Sequence, residues 1–221
     1  MDIQIKTSAL TKQYKMGTQT VDALKGVDLE IEKGSFTAVC GTSGSGKSTL
    51  LHMLGCLDRP SSGVVFIGDI KVTETKDKKL SKIRRENIGF VFQRFCLIPE
   101  LSVTENIIVP VLLSGKRPDT AYIDELCEIL GLSDRKSHLP SELSGGQQQR
   151  CAIARALAND PQIVLCDEPT GNLDKKTGEE VISLLHEVNR KYQKTVVIVT
   201  HDENIAGGAD RIVRIEDGTI I

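Results

Sequence analysis

Residues Gly41 to Thr49 read GTSGSGKST, and this segment constrains the chain more than any other. It fits the spacing GxxxxGK[ST]. It stands between an apolar run, Phe36 to Cys40, and a helical pattern carried by Leu50, Leu51 and Leu54. Between a strand and a helix that spacing makes a cradle for phosphate: glycines let backbone N–H groups turn inward, and the helix adds the positive end of its dipole. Gly41, Thr42, Ser43, Gly44, Ser45, Gly46, Lys47, Ser48 and Thr49 are the expected nucleotide contacts. Lys47 supplies a point charge to the β- and γ-phosphates, and the Ser48 hydroxyl can ligate Mg2+.

The rest of the chain alternates strands and helices. Val27 to Ile31 has period 2, the mark of a half-buried strand. Ile88 to Phe92, Ile163 to Cys166 and Thr195 to Thr200 are continuous apolar runs, suited to central parallel strands covered on both faces. One helix face is formed by Tyr122, Leu126, Ile129 and Leu130 and ends at Gly131; another is formed by Val181, Leu184, Leu185 and Val188. The alternation implies an α/β fold with a parallel sheet. Residues 95 to 158 break the rhythm and read as a helical insertion. The Lys-rich stretch Lys71 to Arg85 reads as a solvated helix face.

A length of 221 residues suits one domain. Charge sums to −2, from 28 Lys and Arg against 30 Asp and Glu, and there is no Trp. Neither suits a dedicated nucleic-acid binder, which needs a basic excess and stacking aromatics. No apolar run approaches the length of a membrane span: Ile107 to Leu113 is short and contains Pro110. The N-terminus lacks the pattern of a signal peptide, so a cytoplasmic location is expected. The six cysteines form no CxxC pair and are expected to be buried thiols rather than metal or redox groups.

Two further strings carry chemistry. Ile163 to Glu168 is an apolar strand ending in two carboxylates. Asp167 is placed to hold Mg2+, leaving Glu168 free to act as general base or to polarise an attacking water. Leu143 to Gln147 reads LSGGQ and continues QQR. Ser144 is an N-cap candidate, and Gly145 and Gly146 leave N–H groups exposed at the positive end of a helix. That is a second phosphate-binding terminus. One nucleotide does not need two, unless two copies of the chain sandwich it.

Together these strings resemble the ATP-binding-cassette ATPases, the nucleotide-binding subunits of ABC transporters, over essentially the whole chain. The resemblance implies a P-loop NTPase core with a RecA-like parallel sheet and an antiparallel β subdomain, plus a helical subdomain bearing the signature. One domain would then span 1–221, with the α/β core at 1–94 and 159–221 and the helical part at 95–158. Gly41–Thr49 looks like Walker A, Leu143–Gln147 like the signature, Asp167 like the end of Walker B and Glu168 like the catalytic glutamate. Gln93 matches the Q-loop glutamine, implied at both Mg2+ and the reaction. Asn172 to Asp174 matches the D-loop, and His201 the γ-phosphate histidine. Tyr14, 27 residues before Gly41, matches the aromatic that stacks on adenine. On the residues alone, Tyr14 and His201 read equally as packing or structural groups, and Gln93 as a polar strand end. His52, His138 and His186 match no motif.

The strings PSELSGGQQQR (Pro140 to Arg150) and DEPTGNLD (Asp167 to Asp174) resemble the MacB/LolD/FtsE-type cassettes, as does Gln93 to Pro99, with Cys96 replacing a common Asn. The resemblance implies ATP and Mg2+ as cofactors and a homodimer enclosing two ATP molecules. Each γ-phosphate would lie between Lys47 of one copy and Ser144, Gly145, Gly146 and Gln147 of the other. It also implies a membrane permease on a separate chain, docking near Phe95, Leu97, Ile98 and Pro99, with the ATPase peripheral on the inner face of the membrane and no nucleic-acid partner. Two alternatives stand beside this: an ATP-gated scaffold of a membrane complex, as in the FtsE branch, and a soluble ABC ATPase acting on DNA or ribosomes. The latter lacks its coiled-coil insertion or second cassette here.

Overall fold

The computed structural model describes residues 2–221. From the N-terminus the chain forms β1 (Ile3–Met16), β2 (Gln19–Glu32), β3 (Phe36–Cys40), α1 (Lys47–Leu54), β4 (Ser62–Ile67), β5 (Ile70–Lys71), α2 (Asp77–Asn87) and β6 (Ile88–Val91). It continues with α3 (Val103–Leu113), α4 (Thr120–Ile129), α5 (Gly145–Leu157), β7 (Ile163–Asp167), α6 (Lys175–Tyr192), β8 (Thr195–Thr200), α7 (Glu203–Gly207), β9 (Arg211–Glu216) and β10 (Thr219–Ile220). Strands β1, β2, β4 and β5 make an antiparallel sheet of order β2-β1-β4-β5. The others make a six-stranded sheet of order β10-β9-β3-β8-β7-β6, parallel except for β10 at its edge.

Alternate side chains of each central strand point to opposite faces, and two hydrophobic cores result. Phe36, Ala38, Val164, Cys166, Val196 and Ile198 pack against α3, α4, α5 and α6. Val39, Ile163, Leu165, Val197 and Val199 face α1, α2 and the antiparallel sheet. Burial on both faces is why these strands read as unbroken apolar runs. The helical segment shares the first core through Val103, Ile107, Leu126 and Leu157. Gly89 lets α5 approach β6 closely: a Cβ there would meet the Ala156 carbonyl oxygen at 2.3 Å.

The long N-terminal hairpin goes beyond the single strand expected at Val27 to Ile31. Its pairing slips where Ala9, at φ 46°, and Gly26, at φ 85°, adopt left-handed backbone. Buried positions in β1 therefore change phase, from Ile5 and Thr7 to Leu10, and those in β2 from Leu24 to Val27. Lys71 to Arg85 likewise includes more than a solvated helix: β5, a 3-10 turn and an α2 that buries Leu80 and Ile83.

Candidate nucleotide-binding site

Because β3, β8, β7 and β6 run parallel, their C-terminal ends lie along one edge of the sheet, where ligands of open α/β sheets bind. Registry is direct: Cys40 pairs with Thr200, Val199 with Asp167, and Cys166 with Val91. The residues that follow these ends are the phosphate-binding loop, Glu168, His201 and Gln93.

The loop bends as its glycines require. Gly44 and Gly46 hold φ of 79° and 105°, and a Cβ on Gly46 would meet the Ala23 carbonyl oxygen at 2.4 Å. Lys47 is buried and donates to the carbonyls of Gly41 and Thr42 at 2.9 and 2.6 Å, so its ammonium sits inside the loop. Ser48 Oγ donates to Asp167 Oδ1 at 3.0 Å. A hydroxyl and a carboxylate so placed are hard oxygen donors of the kind Mg2+ takes sparingly, keeping waters and phosphate oxygens for its other positions. Among the described residues no group of three or more His, Cys, Asp or Glu forms a denser metal site. The Ser48–Asp167 pair thus fits Mg2+ at a phosphate.

A cavity of about 420 Å³ opens over the loop, lined by Ser43, Gly44, Gly46, Lys47, Ser48 and Thr49, with Glu168 at one side and Ala23, Lys25, Asp217 and Gly218 at another. That is ample for a nucleotide's polar end. The second wall was invisible in sequence. Its Asp217-Gly218 pair is a hairpin signal that could have marked the turn, but its bonds, from the Gly218 N–H to the Ser45 carbonyl and from the Lys25 N–H to the Gly218 carbonyl, carry no sequence signal. Gly41 and Thr42 contribute carbonyls to Lys47 rather than cavity wall. Ser45 is buried, with its hydroxyl unpartnered.

Glu168 is held at φ 43°, a left-handed conformation uncommon outside glycine, by its N–H to the Val199 carbonyl and by the Gly171 N–H on its own carbonyl, both at 3.0 Å. His201 Nδ1 lies 3.4 Å from Glu168 Oε1. The two residues share a second cavity, of about 520 Å³, with Gly171, Leu173 and Asp174. Lys47, Ser48, Asp167, Glu168 and His201 are therefore brought together.

Three expected residues or groups lie elsewhere. Gln93 is exposed and lines neither cavity: its side chain packs over Gly171, and its carbonyl accepts from Asn172 Nδ2 at 2.9 Å. Tyr14 donates to Asp58 Oδ2 at 3.1 Å and carries the Lys12 ammonium 4.9 Å from its ring centre, outside the lining. Ser144 to Gln147 line no part of the loop's own cavity. Ser144 caps α5, accepting from the Gln147 N–H, while Gln147 Oε1 accepts from the Ser144 N–H at 2.9 Å. This reciprocal box leaves the Gly145 and Gly146 N–H groups at a well-formed helix start. The thiols need one correction. Cys40, Cys56, Cys127, Cys151 and Cys166 are buried, but Cys96 is exposed, at φ 51° in the loop after Gln93.

Residues 24–171 match the family model described as ABC transporter. The ABC transporter ATP-binding protein MJ0796 of Methanocaldococcus jannaschii is 49% identical, over 98% of this chain and 94% of its own. A dimeric structure of that cassette, in a post-hydrolysis state bound to ADP and Pi, aligns with a TM-score of 0.89 over 98% of this chain and 96% of that one, at 47% identity. The lipoprotein-releasing system ATP-binding protein LolD of Legionella pneumophila is 45% identical, over 99% of this chain and 97% of its own. The macrolide export ATP-binding/permease protein MacB of Vibrio parahaemolyticus is 45% identical, over all of this chain and 34% of its own. With the phosphate-binding loop, the paired carboxylates and the capped signature helix in one fold, this chain belongs to the ABC transporter family, as an ATPase cassette of the LolD and MacB type that uses ATP and Mg2+.

Proposed function

We propose that two copies of this chain enclose two ATP molecules head to tail and drive a membrane permease of MacB-like type, for export or extraction of a lipoprotein, peptide or drug. One observation carries the reading: the chain builds two helix starts of the kind that suits phosphate, after Gly41–Gly46 and at Ser144–Gln147, and the second does not line the cavity of the first. A second copy supplies what is missing. The dimeric MJ0796 cassette supports the pairing.

In this reading the loop N–H groups and Lys47 bind the β- and γ-phosphates, and Ser48 and Asp167 hold Mg2+, which neutralises phosphate charge when bound. Tyr14 packs against adenine. Glu168 orients a water against the γ-phosphorus and takes its proton as the bond to the ADP oxygen breaks. His201, beside that carboxylate, donates to the transferring phosphoryl group. Gln93 joins from the end of β6, and Ser144, Gly145, Gly146 and Gln147 of the second copy cover the γ-phosphate from the far side.

Phe95, Leu97, Ile98 and Pro99 form the permease-docking segment. The 38% exposure of Ile98 supports an apolar contact there. Among the described residues no helix is long and apolar enough to cross a membrane. The permease of this reading is a separate chain, with the cassette peripheral on the inner membrane face. The test is phosphate release by the wild type and by Glu168→Gln, with and without detergent-extracted membranes. Glu168→Gln should lose about 10²–10⁴-fold in rate, the worth of a general base. It should also accumulate an ATP-dependent dimer that retains a permease, and Phe95→Asp should release that permease. A wild type that releases no phosphate in either condition would instead establish the ATP-gated scaffold.

A further inference from the structure

Helix α5 begins at the signature and sends two side chains into the loops beyond β6 and β7. Gln149 is buried and donates from Nε2 to the Pro169 carbonyl at 2.7 Å, the residue after Glu168. The same nitrogen lies 3.5 Å from the Phe92 carbonyl, the residue before Gln93. Farther along the helix, Arg155 is half-buried and forks onto adjacent carbonyls: Nη2 donates to Phe95 at 2.9 Å and Nη1 to Cys96 at 2.6 Å.

Both acceptors of this guanidinium are main-chain oxygens of one loop. A rigid planar fork on two successive carbonyls fixes the peptide between them. It does so where the loop needs fixing, because Cys96 is held left-handed, at φ 51°. At 1.5 Å per residue, Arg155 lies about 16 Å along the axis from Ser144. A hydrogen-bonded helix of this length moves as one body, so whatever seats its start also carries the carbonyls pinned near its end.

We propose that Arg155 is a positioning residue that locks the Phe95–Cys96 peptide to the signature helix, so that closure of Ser144–Gln147 on a partner's nucleotide is transmitted to the docking segment 95–99. This rests on the ATP-sandwich reading and deepens it. Gln149 remains as the tie to the loop after Glu168, so removing Arg155 uncouples the docking segment without releasing α5 from the core. A merely structural role would be different: Arg155 would then serve as a last-turn cation complementing the dipole of α5, a role that Lys fills equally well.

Cys96 is its own probe, because the other five thiols are buried. In a Glu168→Gln background, its reaction rate with a disulfide reagent is measured with and without ATP, while gel filtration reports the dimer. With Arg155 in place, ATP should change the rate by about threefold or more, as exposure of the thiol governs its reaction. Arg155→Met and Arg155→Lys should both still dimerise with ATP, yet lose that change. An ATP response that survives in either variant overturns the proposal, as does its absence in the parent. If Arg155→Met does not fold, Arg155→Lys decides, since it keeps the charge but cannot span both carbonyls. Failure of the parent to dimerise sinks the sandwich reading and the latch together. A normal dimer with an unaltered response in the variants sinks the latch alone.

Discussion

Asp167, Glu168 and His201 were legible as single residues because each directly follows, or ends, a strand whose apolar run is plain in sequence, and Lys47 and Ser48 because they start α1 after the glycine-rich loop that leaves β3. Their convergence is then a consequence of parallel strands ending at one edge. Backbone geometry was less legible. Gly44 and Gly46 look equivalent in GTSGSGKST, but a Cβ on Gly44 meets open space while one on Gly46 strikes the Ala23 carbonyl. Gly44→Ala therefore carries only the left-handed penalty of about 1–2 kcal/mol, and ATP affinity measured by calorimetry should weaken by about 30-fold at most. Gly46→Ala must also displace the loop, because its Cβ would meet the Ala23 carbonyl oxygen at 2.4 Å, so its affinity loss should clearly exceed that of Gly44→Ala. Equal losses in the two variants would contradict this geometry. Tyr14 was matched by its spacing from Gly41 and Gln93 by its place at a strand end, and neither carries information about the contacts with Asp58 and Gly171 that hold them.

Among the elements, the central strands and α6 followed their hydrophobic periods, while the N-terminal hairpin did not. The left-handed residues Ala9 and Gly26 each shift the inward phase by one residue, so no single period-2 pattern runs through β1 or β2. Of the helix starts, the sequence reading identified the Ser144 cap of α5, and the structure adds those of α3 and α6. Glu105 closes a capping box at α3, and the Ser102 hydroxyl and N–H on its carboxylate hold it below the usual range. Asp174 caps α6 and is held low by the Thr177 hydroxyl and N–H. A carboxyl held low binds fewer protons folded than unfolded. Its contribution is therefore present above the unfolded value, near 4, and is lost as pH falls through the lower folded value. The melting temperature should fall on acidification below about pH 4, and more steeply in the wild type than in Glu105→Gln combined with Asp174→Asn, whose caps do not titrate. Identical pH profiles would show that these caps do not contribute.

At the scale of the whole molecule, one six-stranded sheet separates two cores, and everything that bears on phosphate lies along or beside one edge of it. The weak net charge of −2 accords with this, because the anion is met by loop N–H groups, Lys47 and helix starts rather than by a broad basic surface. In the proposed dimer, Gly41–Thr49 and Ser144–Gln147 of one copy serve different nucleotides. The most direct test mixes two variants that are each inactive: Lys47→Ala, which spoils the loop, and Ser144→Arg, which blocks the signature. In a mixed head-to-tail dimer one site receives both defects and the other receives neither. Phosphate release should therefore reappear on mixing, at about a quarter of the wild-type rate for random pairing in a two-fold dimer with independent sites. A mixture as inactive as its components would contradict the account, as would a Ser144→Arg variant that hydrolyses ATP at the wild-type rate unaided.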